Sequence, residues 1–142
     1  MTDLNQYDFV IYGATGFTGK LVVEYAMNQY GNDNDISWAI AGRNSEKLEK
    51  VKDNFNLPSD IGMMIVDSND QASIDSMVSQ TKCVLTTVGP YQLYGEKIIT
   101  SCISSGTDYV DLCGEPGFMH KIISEHSEEA KQKGSRLSLI HI

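Results

Sequence analysis

Apolar residues follow two different spacings in turn along this chain. Short apolar runs are typical of buried strands, and longer segments with apolar residues three or four positions apart are typical of helices. The pattern predicts strands at residues 9–12, 36–41, 63–66, 83–88, 109–112 and 136–140. It predicts helices at residues 17–28, 46–54, 71–80, 95–105 and 116–133.

Strands that alternate with helices predict a parallel sheet, because parallel neighbours need a long crossover connection. Right-handed crossovers place helices on both faces of the sheet, which agrees with strands that are apolar on both sides. Together with the glycine-rich turn at residues 13–19, which directly follows the first strand, this alternation predicts the α/β fold class, a Rossmann-type doubly wound parallel sheet of about six strands. The same two features predict the strand order 3-2-1-4-5-6.

Two local features follow from the same pattern. Helical spacing predicts that the first helix turns one face towards the core, with the residues Leu21, Val22, Tyr25 and Ala26. The second helix is preceded by a hydroxyl side chain of the kind that caps helix N-termini. We therefore predict that Ser45 caps this helix.

The first strand ends at a turn with the pattern Gly-x-x-Gly-x-x-Gly, residues 13–19. Residues without Cβ let the chain turn sharply and let backbone amides approach a phosphate. The helix that begins here adds its positive N-terminus, a common site for a pyrophosphate. The predicted pyrophosphate-binding residues are Gly13, Ala14, Thr15, Gly16, Phe17, Thr18 and Gly19.

A turn with this pattern has two other interpretations. A P-loop needs glycine at the position of Ala14 and Ser or Thr at the position of Leu21, so the sequence excludes it. Lys20 is then a solvated helix residue. An ordinary strand-to-helix connection with chance glycines stays open.

Ligands of doubly wound sheets lie beyond the carboxyl ends of the strands. Arg43 follows the second strand, where an NAD site has a carboxylate that binds the ribose 2′-hydroxyl. A guanidinium pairs well with a phosphate, so Arg43 favours NADP over NAD unless it is only a surface charge. After the third strand, Asp67 and Ser68 either reach the adenine end or cap the next helix.

The fourth strand is followed by residues suited to the other end of a dinucleotide. Val88, Gly89 and Tyr91 are predicted to border the nicotinamide ribose and pyrophosphate, because Gly89 lets a ligand lie against backbone. Pro90 fixes the turn between them. A plain loop is the alternative.

The fifth strand is followed by groups that invite a catalytic role, but none is assigned. Glu115 lies at a helix start, where a carboxylate is stabilised in any case. Cys113 has no histidine near it in sequence. His120 and His126 are six residues apart on one helix and face different directions, so no metal site is predicted.

The composition of the chain argues against several classes of function. The formal net charge of −8 argues against nucleic-acid binding, which needs a basic surface. No run approaches the roughly 18 apolar residues of a membrane span, and no signal peptide is recognised. The three scattered cysteines lack metal-binding spacing and suggest free thiols in a reducing compartment.

Four motifs together resemble a known family. The glycine turn, Ala-Gly-Arg at 41–43, Val-Gly-Pro-Tyr at 88–91 and Tyr-Val-Asp-Leu-Cys-Gly-Glu at 109–115 occur in this order. They resemble the N-terminal cofactor domain of saccharopine dehydrogenase-like oxidoreductases, which include the trans-acting enoyl reductases of glycolipid synthesis. The resemblance implies that residues 13–19 line the pyrophosphate, Arg43 meets the 2′-phosphate, and Gly89 and Tyr91 border the nicotinamide.

The expected function is that of an NADP-dependent oxidoreductase acting on a small-molecule or lipid-linked substrate. Residues 1–142 are expected to be one NAD(P)-binding domain, truncated before the substrate domain and inactive alone. We expect a cytoplasmic protein, with lipid-droplet or peripheral membrane association and oligomerisation through the absent domain left open. The alternatives are an atypical short-chain reductase, whose Tyr-x-x-x-Lys is absent here, and a non-catalytic NADPH sensor.

Overall fold

A computed structural model describes residues 6–139 of the chain. Their strands are β1 (Phe9–Tyr12), β2 (Trp38–Gly42), β3 (Gly62–Ile65), β4 (Cys83–Thr86), β5 (Asp108–Val110) and β6 (Leu137–Ser138). Their helices are α1 (Phe17–Tyr30), α2 (Ser45–Asn54), α3 (Gln71–Ser79), α4 (Tyr91–Tyr94), α5 (Glu96–Ser105) and α6 (Pro116–Lys133). Among these residues, no helix combines the length and the hydropathy needed to cross a bilayer.

The strands form one sheet in the order β3-β2-β1-β4-β5-β6, and each neighbouring pair is parallel. This confirms the predicted fold class and strand order. The chain builds outward from β1 to β3 and then returns to place β4 on the other side of β1. The reversal opens a crevice at the carboxyl ends of β1 and β4, which is where doubly wound sheets bind ligands.

Each face of the sheet packs against its own apolar cluster. Successive side chains of a strand point to opposite faces, so Ile11 belongs to the cluster that contains Val23 and Leu48 from α1 and α2. Val10 belongs to the cluster that contains Ile74 and Ile98 from α3 and α5. The two covered faces explain why the strands are apolar on both sides.

The predicted inward face of α1 is wrong in part. Leu21 and Tyr25 are 53% and 63% exposed, whereas Val23 and Ala26 are buried together with Gly19. Apolar residues occupy much of the circumference of this helix, so their spacing alone did not single out one face. The close approach of Gly19 to the turn decides which side meets the sheet.

The caps of two helices also differ from the expectation. Asn44, not Ser45, caps α2, because its Oδ1 accepts a hydrogen bond of 2.9 Å from the Lys47 amide. Asp70 caps α3, since its Oδ1 accepts from the Ala72 amide at 3.1 Å. The alternative that Asp67 or Ser68 caps α3 is therefore wrong.

Replacing Asn44 with alanine is expected to lower the free energy of unfolding by about 1 kcal/mol, because the first turn of α2 loses its side-chain acceptor. Urea denaturation of the two proteins measures the difference. Ser45→Ala is the matched control and is expected to change stability by no more than about 0.5 kcal/mol. A larger loss for Ser45→Ala than for Asn44→Ala would restore Ser45 as the cap.

The segment after β4 is the part that the sequence pattern described least well. The strand ends at Thr86, two residues earlier than predicted, and the Val88 amide turns back to donate to the Thr86 hydroxyl at 3.2 Å. The short helix α4 follows and was not predicted. At the other end, β6 is shorter than predicted, and Ile140 lies outside the described residues.

Candidate functional site

The glycine turn joins β1 to α1 and is held against both neighbouring strands. The amides of Gly13 and Ala14 donate to the Ala41 carbonyl at 3.0 and 3.2 Å. On the other side, the Thr87 amide donates to the Tyr12 carbonyl at 2.9 Å. The start of α1 is therefore anchored at the reversal point of the sheet.

The three glycines of this turn have different surroundings. Gly13 has a φ of +88°, a left-handed conformation that L side chains rarely adopt. A Cβ on Gly19 would overlap the Gly13 carbonyl oxygen and lie 3.0 Å from the Ala14 Cα. A Cβ on Gly16 would meet only the Gly13 carbonyl oxygen, at 3.4 Å, and otherwise enter open space.

A cavity of about 420 Å³ lies at this end of the sheet. Seven of the predicted site residues line it, namely Gly13, Thr15, Gly16, Arg43, Ser68, Val88 and Gly89. They come from the exits of β1, β2, β3 and β4, so the reversal of strand order brings together four segments that are distant in sequence.

The other predicted site residues are not part of the cavity lining. Ala14 is fully buried, and Gly19 packs against the turn. Phe17 is 84% exposed at the first position of α1, and Thr18 beside it is also exposed. The Asp67 carboxylate accepts a hydrogen bond of 2.9 Å from the Asn69 amide and so stabilises the turn that follows β3.

Tyr91 is predicted to border the nicotinamide, but its side chain is buried and bonded to the protein. Its hydroxyl donates to the Thr86 carbonyl and accepts from the Leu112 amide, each at 3.3 Å. Burial raises the pKa of this hydroxyl. The ring therefore joins the segments that follow β4 and β5.

Sequence reasoning missed several residues of the lining, which are Tyr12, Gly42, Asn69, Thr87, Pro90 and Tyr94. Most of them adjoin a predicted site residue, so the position of each strand exit could have identified them. Tyr94 had no such signal, because it reaches the cavity through the unpredicted helix α4.

The electrostatic character of the cavity is simple. Arg43 is exposed and is the one charged side chain among the lining residues that the structure describes. Within residues 6–139, no carboxylate pairs with its guanidinium. Burial raises the pKa of the neighbouring Tyr12 hydroxyl, which keeps it protonated and neutral. The cavity therefore offers a cation and neutral donors, a combination that suits an anion.

The polar side chains at and after β5 form hydrogen bonds within this segment. The Tyr109 hydroxyl donates to Asp111 Oδ2 at 2.7 Å, and the Cys113 amide donates to Asp111 Oδ1 at 3.0 Å. Burial raises the pKa of the Cys113 thiol, which keeps it protonated and poorly nucleophilic. These contacts give Asp111 and Cys113 structural roles.

Two further features lie away from the glycine turn. Glu96, Glu125 and His126 bring potential ligand atoms within 4.8 Å of one another on α5 and α6, but Glu96 already bonds Lys121 at 2.7 Å. A depression of about 470 Å³ lies between α6 and β6. It is lined mainly by apolar side chains and does not lie at the reversal point of the sheet.

Comparison with known proteins identifies relatives along most of the chain. The family described as saccharopine dehydrogenase NADP binding domain matches residues 9–137. The saccharopine dehydrogenase-like oxidoreductase of Mus musculus is 38% identical over 94% of this chain and 33% of its own length. The lipid droplet localized protein of Caenorhabditis elegans is 38% identical over 92% of this chain and 32% of its own.

A bacterial relative and a solved structure extend the comparison. The trans-acting enoyl reductase of Mycobacterium leprae is 36% identical over 96% of this chain and 32% of its own length. Apo saccharopine dehydrogenase (L-Glu forming) from Saccharomyces cerevisiae shares the fold, with a TM-score of 0.72, 14% identity, and coverage of 94% of this chain and 26% of that one.

The chain spans about a third of the length of the curated relatives that it matches. The matched region contains the glycine turn, Arg43 and the segments after β4 and β5. Open backbone at Gly16, and a cation at Arg43 with which no described carboxylate pairs, fit a phosphorylated dinucleotide. The chain belongs to the saccharopine dehydrogenase NADP-binding domain family, whose relatives are oxidoreductases.

Proposed function

We propose that the cavity binds NADPH across the reversal point of the sheet. The pyrophosphate lies at the start of α1, where Gly16 leaves the backbone open. The adenosine half extends towards Arg43 and Ser68, and the nicotinamide half extends towards Val88 and Gly89. This orientation follows from the general rule that the ribose of the adenosine half is recognised after β2.

The proposal depends on one observation. Arg43 is the one charged residue of the described lining, and no carboxylate among residues 6–139 pairs with it. A guanidinium forms two parallel hydrogen bonds with a phosphate, and it remains charged at any physiological pH. A carboxylate at the same place would bind the 2′-hydroxyl of NADH and repel the 2′-phosphate of NADPH. Arg43 therefore favours the phosphorylated cofactor.

The domain is proposed to serve an oxidoreductase in which the bound dinucleotide supplies or accepts hydride. The residues of this chain bind and orient the cofactor and cover one side of it. Arg43 anchors one end, and the segment at Gly89 supports the other. The neutral Tyr12 hydroxyl forms part of the wall without adding charge.

The proposed substrate class is a small organic molecule, either free or lipid-linked. The name of the Mycobacterium leprae relative, a trans-acting enoyl reductase, supports a reduction. A cytoplasmic location is part of the proposal, and the name of the Caenorhabditis elegans relative, a lipid droplet localized protein, supports association with lipid droplets. Oligomerisation through a further domain belongs to the same proposal.

NADPH is expected to bind at least about tenfold more tightly than NADH, a difference of about 1.4 kcal/mol. Titration of each reduced cofactor against the intact chain, followed by nicotinamide fluorescence, measures the two affinities. Arg43→Ala is expected to weaken NADPH binding and leave NADH binding nearly unchanged, because only NADPH carries the phosphate that Arg43 binds.

Lys47→Ala is the matched control, since Lys47 is another exposed cation on the next helix and does not line the cavity. It is expected to leave the preference unchanged. Equal affinities of the unmodified protein for the two cofactors would refute the role of Arg43. An equal loss in both variants would show that the preference reflects overall charge.

A further inference from the structure

The wall of the cavity on the nicotinamide side comes from the segment between β4 and α5. Gly89, Pro90 and Tyr94 of this segment line the cavity. The segment contains α4, a helix of only four residues, and such a short helix has little stability of its own. Contacts from outside must therefore hold this wall in place.

Glu115 supplies such contacts. Its Oε1 accepts a hydrogen bond of 2.7 Å from the Tyr91 amide, and its Oε2 accepts one of 3.0 Å from the Gln92 amide. We call this pair of hydrogen bonds the Glu115 clamp. Glu115 immediately precedes α6, yet its side chain does not cap that helix. The carboxylate caps α4 instead.

The clamp takes the two donors that α4 cannot satisfy by itself. The next two amides, of Leu93 and Tyr94, both donate to the Pro90 carbonyl at 3.2 Å. The amides of Tyr91 and Gln92 lie at the start of α4, so no carbonyl of the helix is placed to accept their hydrogen bonds. Hydrogen bonds to an ionised acceptor are about twice as strong as neutral ones.

Glu115 is itself held on the loop that follows β5. Its amide donates to the Cys113 sulfur at 3.4 Å, and the Cys113 amide donates to the buried Asp111. The Leu112 amide donates to the Tyr91 hydroxyl. The loop after β5 thus contacts α4 through both the backbone and the side chain of Tyr91.

We infer that Glu115 is a positioning residue for the nicotinamide half of the cofactor. The inference rests on the proposed function, because it assigns Gly89 and Tyr94 to that half. The carboxylate holds the start of α4 and so keeps Gly89, Pro90 and Tyr94 where they border the cavity. The adenosine half, at Arg43 and Ser68, does not depend on it.

Two ligands separate the two halves in one experiment. NADPH occupies both halves of the site, whereas adenosine 2′,5′-bisphosphate occupies only the adenosine half. Isothermal titration of both ligands is performed on the wild-type chain, Glu115→Gln and Glu115→Asp. Glu96→Gln is the matched control, since Glu96 also lies at a helix start but bonds Lys121 away from the cavity.

Glu115→Gln is expected to bind NADPH about tenfold more weakly, because one of the two charged hydrogen bonds is lost and the other becomes neutral. Its affinity for adenosine 2′,5′-bisphosphate is expected to stay unchanged, which also shows that the variant is folded. Glu115→Asp keeps the charge with a shorter reach and is expected to show a smaller loss for NADPH alone. Glu96→Gln is expected to match the wild type for both ligands.

Unchanged NADPH affinity in Glu115→Gln would overturn the inference and leave the proposed function intact. An equal loss for both ligands would also overturn it, since the carboxylate would then support the whole domain. Wild-type protein that binds neither ligand would overturn the proposed function and the inference with it.

Discussion

Gly19→Ala is expected to lower the free energy of unfolding by about 3 kcal/mol, the range of severe overpacking. The added methyl group overlaps the backbone of Gly13, which is anchored to β2 and cannot yield easily. Helix α1 must then move away from the turn, and NADPH binding is expected to weaken as well. Urea denaturation and NADPH titration measure the two effects.

Gly117→Ala is the matched control for this substitution. Gly117 also lies in a helix, near the start of α6, and a Cβ there would meet nothing within 4 Å. Alanine is a better helix former than glycine by about 1 kcal/mol, so this variant is expected to be as stable as the wild type or more stable. Similar losses in both variants would refute the packing role of Gly19.

Gly16→Ala is expected to weaken NADPH binding about a hundredfold, or about 2.7 kcal/mol, with little loss of stability. Gly16 has extended backbone angles, φ −76° and ψ 171°, that any residue can adopt. Its methyl group would enter open space beside the cavity and keep the pyrophosphate away from the backbone amides. Calorimetric titration with NADPH measures the affinity.

Alanine substitutions at Gly16 and Gly19 are expected to differ in their effect on the free energy of unfolding. Gly16→Ala is expected to lower the free energy of unfolding by at most about 1 kcal/mol, because only the N-cap position of α1 changes. Unaltered NADPH affinity would show that the cofactor does not approach Gly16. A stability loss like that of Gly19→Ala would show that Gly16 too is needed for packing.

The general architecture could be predicted because its signals are local. Apolar runs and helical spacing identified the six strands and the five longer helices of residues 6–139. The alternation of strands and helices, with the glycine turn after the first strand, predicted the order of the strands. The turn at residues 13–19 and the position of Arg43 after β2 pointed to one end of this sheet. Each of these features depends on neighbours in sequence.

Other features could not be predicted because they depend on contacts between distant segments. The orientation of α1 depends on how closely Gly19 approaches Gly13, and several of its outward residues are as apolar as its inward ones. The partners of the Glu115 carboxylate, the amides of Tyr91 and Gln92, lie 24 and 23 residues away. Nothing in the spacing of charges predicts that a residue preceding one helix caps another.

The sequence by itself determined a doubly wound α/β domain with a glycine turn and an arginine at the carboxyl ends of its strands. Those properties follow from the spacing of apolar residues and from the conformational freedom of glycine, and both depend on residues that are close in sequence. Only the tertiary structure decided that the three glycines have different surroundings and that Tyr94 lines the cavity. Packing of distant segments creates those surroundings, so no local pattern contains them.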